Sequence, residues 1–274
     1  MTFYIKKMSG YKEPFDADKF AQSLSRAGAQ KTTIQQLIKD IERNSHLRST
    51  KKIYAYALAS LHKKNPVAAS RYNIKQALLE LGPAGFPFEQ FVSALFIAQG
   101  YSVKTNNTIK GYCVDHEIDV IVTKDKKDGI VECKYHNKQQ LKTDVKVTLY
   151  TKARFDDITK KWQSNKRQLH HNWIVTNTKF TSEALKYATC TQINLLSWDY
   201  PYNNSLIHII NTHGLHPITA LVSLNKEEKK ALLKKGFVLC KDAYQHAQSL
   251  KELGIKKEKI ERIIHEALAV CKIP

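Results

Sequence analysis

Glu117-Ile118-Asp119-Val120-Ile121-Val122 and, beyond the charged turn Lys124-Asp125-Lys126-Lys127-Asp128-Gly129, Ile130-Val131-Glu132-Cys133-Lys134 decide how this chain reads. Both arms alternate with period two and the polar turn carries a glycine, so the pair predicts a β-hairpin. Glu117, Asp119 and Ile121 share one face of the first arm, and Ile130, Glu132 and Lys134 share one face of the second. Laid side by side, the arms bring three carboxylates and one ammonium together. Like charges that close in a sheet cost free energy unless something neutralises them, and a divalent cation is the usual answer. The hairpin points to chemistry rather than to architecture.

Upstream, Phe86-Pro87-Phe88-Glu89-Gln90-Phe91-Val92-Ser93-Ala94-Leu95-Phe96-Ile97-Ala98 predicts an amphipathic helix that leaves through Gln99-Gly100-Tyr101 into a strand. Asp119, with Glu132-Cys133-Lys134 on the next strand and this helix in front, resembles the PD-(D/E)XK nuclease core in its Mrr-type restriction endonuclease form. The resemblance spans residues 86–200. It implies that Asp119 and Glu132 hold Mg²⁺ or Mn²⁺ with the Cys133 carbonyl as a further ligand, that Lys134 orients or helps deprotonate the attacking water, and that Glu89 adds an acid to the metal site. His116-Glu117 stand where the family usually has small residues, so Glu117 reads equally as a second-metal ligand and as a solvated carboxylate. Around the hairpin the expected order is a strand at 101–104, a polar loop at 105–110, a long helix at 144–168, a strand at 173–176, a helix through Ala184-Leu185 and a last strand at 193–196. Such an order makes an α/β fold, a restriction-endonuclease-like core with a mixed central sheet. Lys152 and Arg154 on the long helix are candidate phosphate contacts, and a solvated helix face accounts for them about as well.

The 274 residues, 42% of them hydrophobic, are enough for two or three domains with real cores. No apolar run reaches eighteen residues and the first residues lack a signal-peptide core, which predicts no membrane span and a soluble, cytoplasmic protein. Cys113, Cys133, Cys190, Cys240 and Cys271 never form a CxxC, so they read as small core residues, not as a disulfide framework or zinc site. The net charge of +19 is concentrated in residues 1–85, 101–170 and 223–274. A polyanion explains that distribution, since each phosphate neutralised releases counterions, and with the hairpin it favours DNA over mere solubility.

Residues 1–85 predict two short extended pieces around a Ser9-Gly10 turn, then four helices, the first capped by Asp16. Lys6-Lys7-Met8-Ser9-Gly10, Pro14-Phe15-Asp16-Ala17-Asp18-Lys19 and Ala68-Ala69-Ser70-Arg71-Tyr72, in that order, resemble the ATP-cone. The resemblance implies a mainly helical nucleotide-sensing domain that takes ATP or dATP through Lys6, Lys7, Gly10 and Lys19. Gly82-Pro83-Ala84-Gly85 reads as a linker and 201–222 as a connector. Residues 223–274 predict an all-helical domain in which two helices end in glycine followed by an apolar residue, Gly236-Phe237 and Gly254-Ile255. This resembles tandem helix-hairpin-helix, which implies phosphate contacts at Gly236, Gly254, Lys256 and Lys257. A helical bundle with glycine caps is the competing reading.

The expectation is therefore a Mg²⁺-dependent DNA endonuclease with a nucleotide-sensing domain in front and a DNA-binding module behind, a homo-oligomer (dimer or tetramer) acting in defence against foreign DNA. The alternative is a nucleotide-sensing DNA-binding protein without catalysis.

Overall fold

The structure is a computed structural model, which describes residues 3–7, 10–82, 85–164 and 166–272. Ser9 of the expected turn, Met8 before it, and Pro83 and Ala84 of the expected linker lie outside the described residues. The chain folds as two compact units, one built from residues 1–77, 216–231 and 240–272, the other from 78–215 and 232–239.

The first unit opens with an antiparallel pair, β1 (Tyr4–Lys6) and β2 (Lys12–Pro14). Four helices follow: α1 (Ala17–Arg26), α2 (Lys31–Arg43), α3 (Thr50–Lys64) and α4 (Pro66–Leu79). Asp16 accepts from the Lys19 N–H, so the first helix is capped by the residue that the sequence nominates, and Ser49 caps α3 in the same way by accepting from the Lys52 N–H. Leu24, Leu37, Ile41, Ile53, Ala57 and Leu61 form one core, at spacings of three and four within each helix. Arg48 closes the far end of α2 by donating to the carbonyls of Ile41, Asn44 and Leu47.

The second unit begins with α5 (Phe86–Ala98), whose Phe88, Phe91, Val92, Leu95 and Phe96 are buried at positions i, i+3, i+4, i+7 and i+8. Burying each such side chain contributes about 1.5–3 kcal/mol, which seats the helix firmly against the sheet. Next come β3 (Ser102–Lys110), β4 (Asp115–Lys124) and β5 (Lys127–Lys134). The expected loop at 105–110 is strand, because Asn107 to Lys110 continue the ladder opposite Ile118 to Asp115. The hairpin turn is also tighter than the sequence suggests: Asp125 and Lys126 alone make it, both at positive φ, and β5 starts at Lys127. Two successive positive-φ residues give the turn whose twist matches that of the flanking strands.

Beyond lie β6 (Lys142–Thr143), α6 (Val145–Ser164), β7 (Leu169–Thr176), β8 (Lys179–Phe180), α7 (Ser182–Cys190) and β9 (Asn194–Leu196). The main sheet runs β3-β4-β5-β7-β9, antiparallel up to β5 and parallel after it, a mixed sheet as expected. At Gly129 β5 lies close against β7: a Cβ there would lie 2.9 Å from that of His171. The expected connector is not bare loop. It holds α8 (Leu206–His213), with Leu206, Ile209 and Ile210 buried, and a 3₁₀ turn at Ile218–Ala220.

Four further helices end the chain: α9 (Lys226–Lys234), α10 (Cys240–Gln245), α11 (Ala247–Glu252) and α12 (Lys257–Cys271). In the first unit α12 packs with α4 through Glu266, which is 2% exposed. Its carboxylate accepts from the Val222 N–H at 2.7 Å, the Ser223 N–H at 3.0 Å and the hydroxyls of Ser70 and Ser223. Arg71 of α4 donates to the carbonyls of Ala269 and Lys272 and so satisfies the end of α12. Segments from both ends of the chain thus make one unit.

Candidate active site

β4 and β5 pair from Lys124↔Lys127 to Val120↔Val131, while β5 continues alongside β7 as far as Lys134↔Thr176. Past Val120 the Asp119 side chain takes over from the ladder: its Oδ2 accepts the Cys133 N–H at 2.7 Å. The sheet opens there, and Asp119, Glu132 and Lys134 occupy the opening. A third carboxylate comes from Glu89 in the first turn of α5. Tyr135, just past Lys134, donates its hydroxyl to the Leu79 carbonyl at 2.6 Å and packs its ring 5.8 Å from that of Phe88, which ties the approach to α5 to the end of β5. Asn177 adds to the same joint, bonding the Leu78 and His136 carbonyls and the His136 N–H.

The charges here are unbalanced. Burial first, then the carboxylates of Asp119 and Glu132, push Glu89 up to about 7. Burial and Glu132 push Asp119 up to about 6, against the opposing pull of the Cys133 N–H, Arg154 and Lys134. Glu132 is better supplied. Tyr150 donates to its Oε1 at 2.6 Å and Arg154 to its Oε2 at 2.6 Å, both from α6. The Tyr150 phenol is correspondingly raised by burial and by that carboxylate.

Three acids with hard oxygen donors, repelling one another in a half-buried recess, match the donor chemistry of Mg²⁺ or Mn²⁺. Among the described residues no three His, Cys, Asp or Glu side chains stand as a preformed metal-binding group. Glu132 has both oxygens turned to α6, so holding a cation requires that it share them.

The other sequence-nominated residues fall in different places. Cys133 is buried, its thiol raised by burial. Glu117 is exposed on β4 opposite Thr108 of β3, so the strand that shares its face with Asp119 does not by itself carry it into the recess. Arg154, nominated for phosphate, pairs with Glu132, and Lys152 pairs with Asp156 one turn on. Lys6 is exposed opposite Lys12, Lys7 pairs with Glu13 at 2.8 Å, Gly10 takes a φ of 94°, and Lys19 is exposed. Gly236 and Gly254 both cap helices in the left-handed region, at φ 84° and 73°. Lys256 is the N-cap position of α12 and Lys257 its first residue, both exposed. Cys113 and Cys190 are exposed rather than core residues.

Sequence reasoning missed Tyr150, whose only signal was its spacing of four from Arg154 on one helix face. It also missed a basic hollow of about 430 Å³ whose lining includes Lys104, Lys110, Lys161 and Arg167, with Arg167 stacked 4.0 Å over Trp162. No helix among the described residues is long and apolar enough to cross a membrane.

Fold and recess together define a restriction-endonuclease-like domain, and a family model described as restriction endonuclease (Mrr_cat) matches residues 83–200. A second, described as AF1548-like, C-terminal, matches residues 216–271. The chain is 37% identical over 180 residues to an uncharacterized protein of Archaeoglobus fulgidus, covering 65% of this chain and 99% of that one. The chain belongs to the family of this archaeal protein, with a restriction endonuclease domain followed by an AF1548-like C-terminal domain. It is also similar to the crystal structure of AF1548, described as a protein of unknown function, at 35% identity and a TM-score of 0.57 over 69% of this chain and 98% of that one.

Proposed function

We propose that the chain is an endonuclease that hydrolyses DNA phosphodiester bonds, with Mg²⁺ or Mn²⁺ held by Asp119, Glu132 and the Cys133 carbonyl and with Glu89 beside them. The observation that carries this reading is the gathering of three carboxylates from α5, β4 and β5 in one half-buried recess, where burial first and neighbouring carboxylates second raise Glu89 and Asp119 above the ordinary carboxylate range. Such a cost is characteristic of sites kept for chemistry. A bound divalent cation supplies an activated water and neutralises charge on the phosphate. Lys134 orients that water and offsets the negative charge that builds up at phosphorus. The Cys133 N–H fixes Asp119, Tyr150 and Arg154 fix Glu132, and Glu89 adds a third carboxylate beside them.

DNA is gripped, on this reading, by Lys152 and Arg154 and by a helix-hairpin-helix-like module at Gly236, Gly254, Lys256 and Lys257, for which the paired left-handed glycine caps are the support. Residues 1–85 act as an ATP-cone whose Lys6, Lys7, Gly10 and Lys19 take ATP or dATP and set the assembly of dimers or tetramers. Such a nuclease serves in the cytoplasm against foreign DNA.

The test is purified protein with plasmid and linear DNA, in Mg²⁺, Mn²⁺ or EDTA, with and without ATP or dATP. Cleavage is expected with cation and absent with EDTA, and cutting by Asp119→Ala at the wild-type rate would overturn the assignment. Tight binding without cleavage under every cation would favour the non-catalytic DNA-binding alternative.

A further inference from the structure

The basic hollow between β3 and the far half of α6 is not used by the proposed chemistry. Its volume of about 430 Å³ is far more than a lone phosphate needs and falls in the range of pockets that enclose a small organic molecule. Of its charged side chains only Arg167 and Asp128 are paired, with each other at 3.1 Å, while Lys104, Lys110 and Lys161 have no carboxylate partner among the described residues. Ile109, Ile121 and Trp162 add apolar surface. Asp128 and the Trp162 indole hold the Arg167 guanidinium between them, 4.0 Å from the ring centre, yet the Arg167 side chain stays 60% exposed. A planar cation is thus fixed on a ring and remains accessible from the hollow.

We propose that the hollow is a nucleotide-binding site, in which a nucleobase stacks on the Arg167 guanidinium and its phosphate sits among Lys104, Lys110 and Lys161. Each half of a nucleotide then finds its match: the flat base has the guanidinium plane and the apolar surface beside it, and the phosphate has the unpaired ammonium groups. A base within a duplex is already stacked on its neighbours, so the occupant is an unpaired nucleotide, either free or in a single-stranded segment.

Its position favours a strand. Lys104 pairs across the sheet with Ile121, which lies next but one to Asp119 on the same strand. In an extended strand alternate residues share a face, so Ile121 and Asp119 do. Helix α6 supplies Tyr150 and Arg154 to Glu132 and, farther on, Lys161 and Trp162 to the hollow. From Arg154 to Lys161 the helix rises about 10 Å, the span of about three nucleotides along one strand of a duplex. Hollow and acidic recess therefore lie along a single helix, within reach of one short stretch of nucleic acid.

The inference does not rest on the nuclease reading: binding is measured in EDTA, so a protein that never cuts leaves it standing. Full-length protein is titrated by fluorescence anisotropy against a short labelled single strand of DNA, the same strand with abasic sites, and its duplex. Arg167→Lys keeps the charge but not the plane, and should weaken the intact single strand about tenfold while leaving the abasic strand and the duplex unchanged. Replacing Lys104 and Lys161 together by Ala should weaken both single strands and flatten the slope of log K against log salt by about 1.4. Displacement of the labelled strand by AMP, retained in Lys7→Ala and Lys19→Ala, would show that free nucleotide also enters; its absence would show that the nucleotide enters only as part of a strand. If Arg167→Lys fails to fold, a strand carrying 5-iodouracil is photo-crosslinked to the wild type, and the linked peptides should map to residues 104–110 or 161–167. Equal affinity of a folded Arg167→Lys and wild type for the intact strand, or crosslinks that map only elsewhere, would overturn the proposal.

Discussion

The first unit holds one carboxylate away from water and the second holds a group of them, and they are held in opposite ways. Glu266 in the first unit is nearly inaccessible, yet four donors from Ser70, Val222 and Ser223 surround its carboxylate, each supplying a hydrogen bond. Glu89 and Asp119 in the second unit are less enclosed, but the charge that acts most strongly on each is another carboxylate. A buried charge that is fully hydrogen-bonded serves to hold segments together, because removing it strands its donors. Acids that burial and neighbouring carboxylates both raise store electrostatic free energy that a cation or a proton releases. The two sites therefore separate a structural carboxylate from functional ones by their partners rather than by depth.

The comparison breaks most visibly through activity. Asp119→Ala should lower DNA cleavage by three or more orders of magnitude, as for a ligand whose contribution is made in the transition state, while leaving the melting temperature unchanged or raised. A variant that loses stability in step with activity would mean that Asp119 holds the fold together after all.

Glu266→Ala should do the reverse. It leaves four donors without an acceptor and should cost about 3–5 kcal/mol in urea unfolding, with Glu266→Gln keeping part of the loss. A loss under about 1 kcal/mol would show that the first unit does not depend on this joint.

The acidic recess also predicts a pH dependence. Glu89 and Asp119 titrate higher in the folded protein than in the unfolded chain, so the folded state binds more protons between about pH 4 and pH 7. In EDTA, stability from these groups should be present at the acid end of that window and fall as pH rises through it. Glu89→Gln should flatten the slope and Mg²⁺ should offset it at the upper end. Thermal melts across the window, with and without Mg²⁺, measure both effects.

The smallest effect belongs to Lys152→Ala. Its exposed pair with Asp156 should be worth no more than about 0.5 kcal/mol, and weaker DNA binding with a shallower salt dependence would be its main consequence.

Much of the nuclease-like domain was legible because its signals are short-range. The period of two in β4 and β5 set Asp119 and Glu132 on facing strands, and the i, i+3, i+4 pattern of Phe88, Phe91 and Val92 turned α5 so that Glu89 reaches them. The same alternation left Glu117 open between metal ligand and solvated carboxylate, and it stands exposed on β4 opposite Thr108. Tyr150 and Arg154 were not legible as partners of Glu132, from which they stand 18 and 22 residues away on another element.

What the sequence determined by itself was local: the hairpin, the helix cap at Asp16, the left-handed glycines at 236 and 254, and the surplus of positive charge. These follow from backbone sterics, strand and helix periods and composition, all of which act within a few residues. Only the tertiary structure decided that Ser70 and Glu266, 196 residues apart, share a hydrogen bond, and that Thr219 donates to the Ala77 carbonyl 142 residues before it. Such pairings depend on which distant apolar faces are buried together. Hydrophobic burial is non-directional, so composition can demand it without saying which segments will meet.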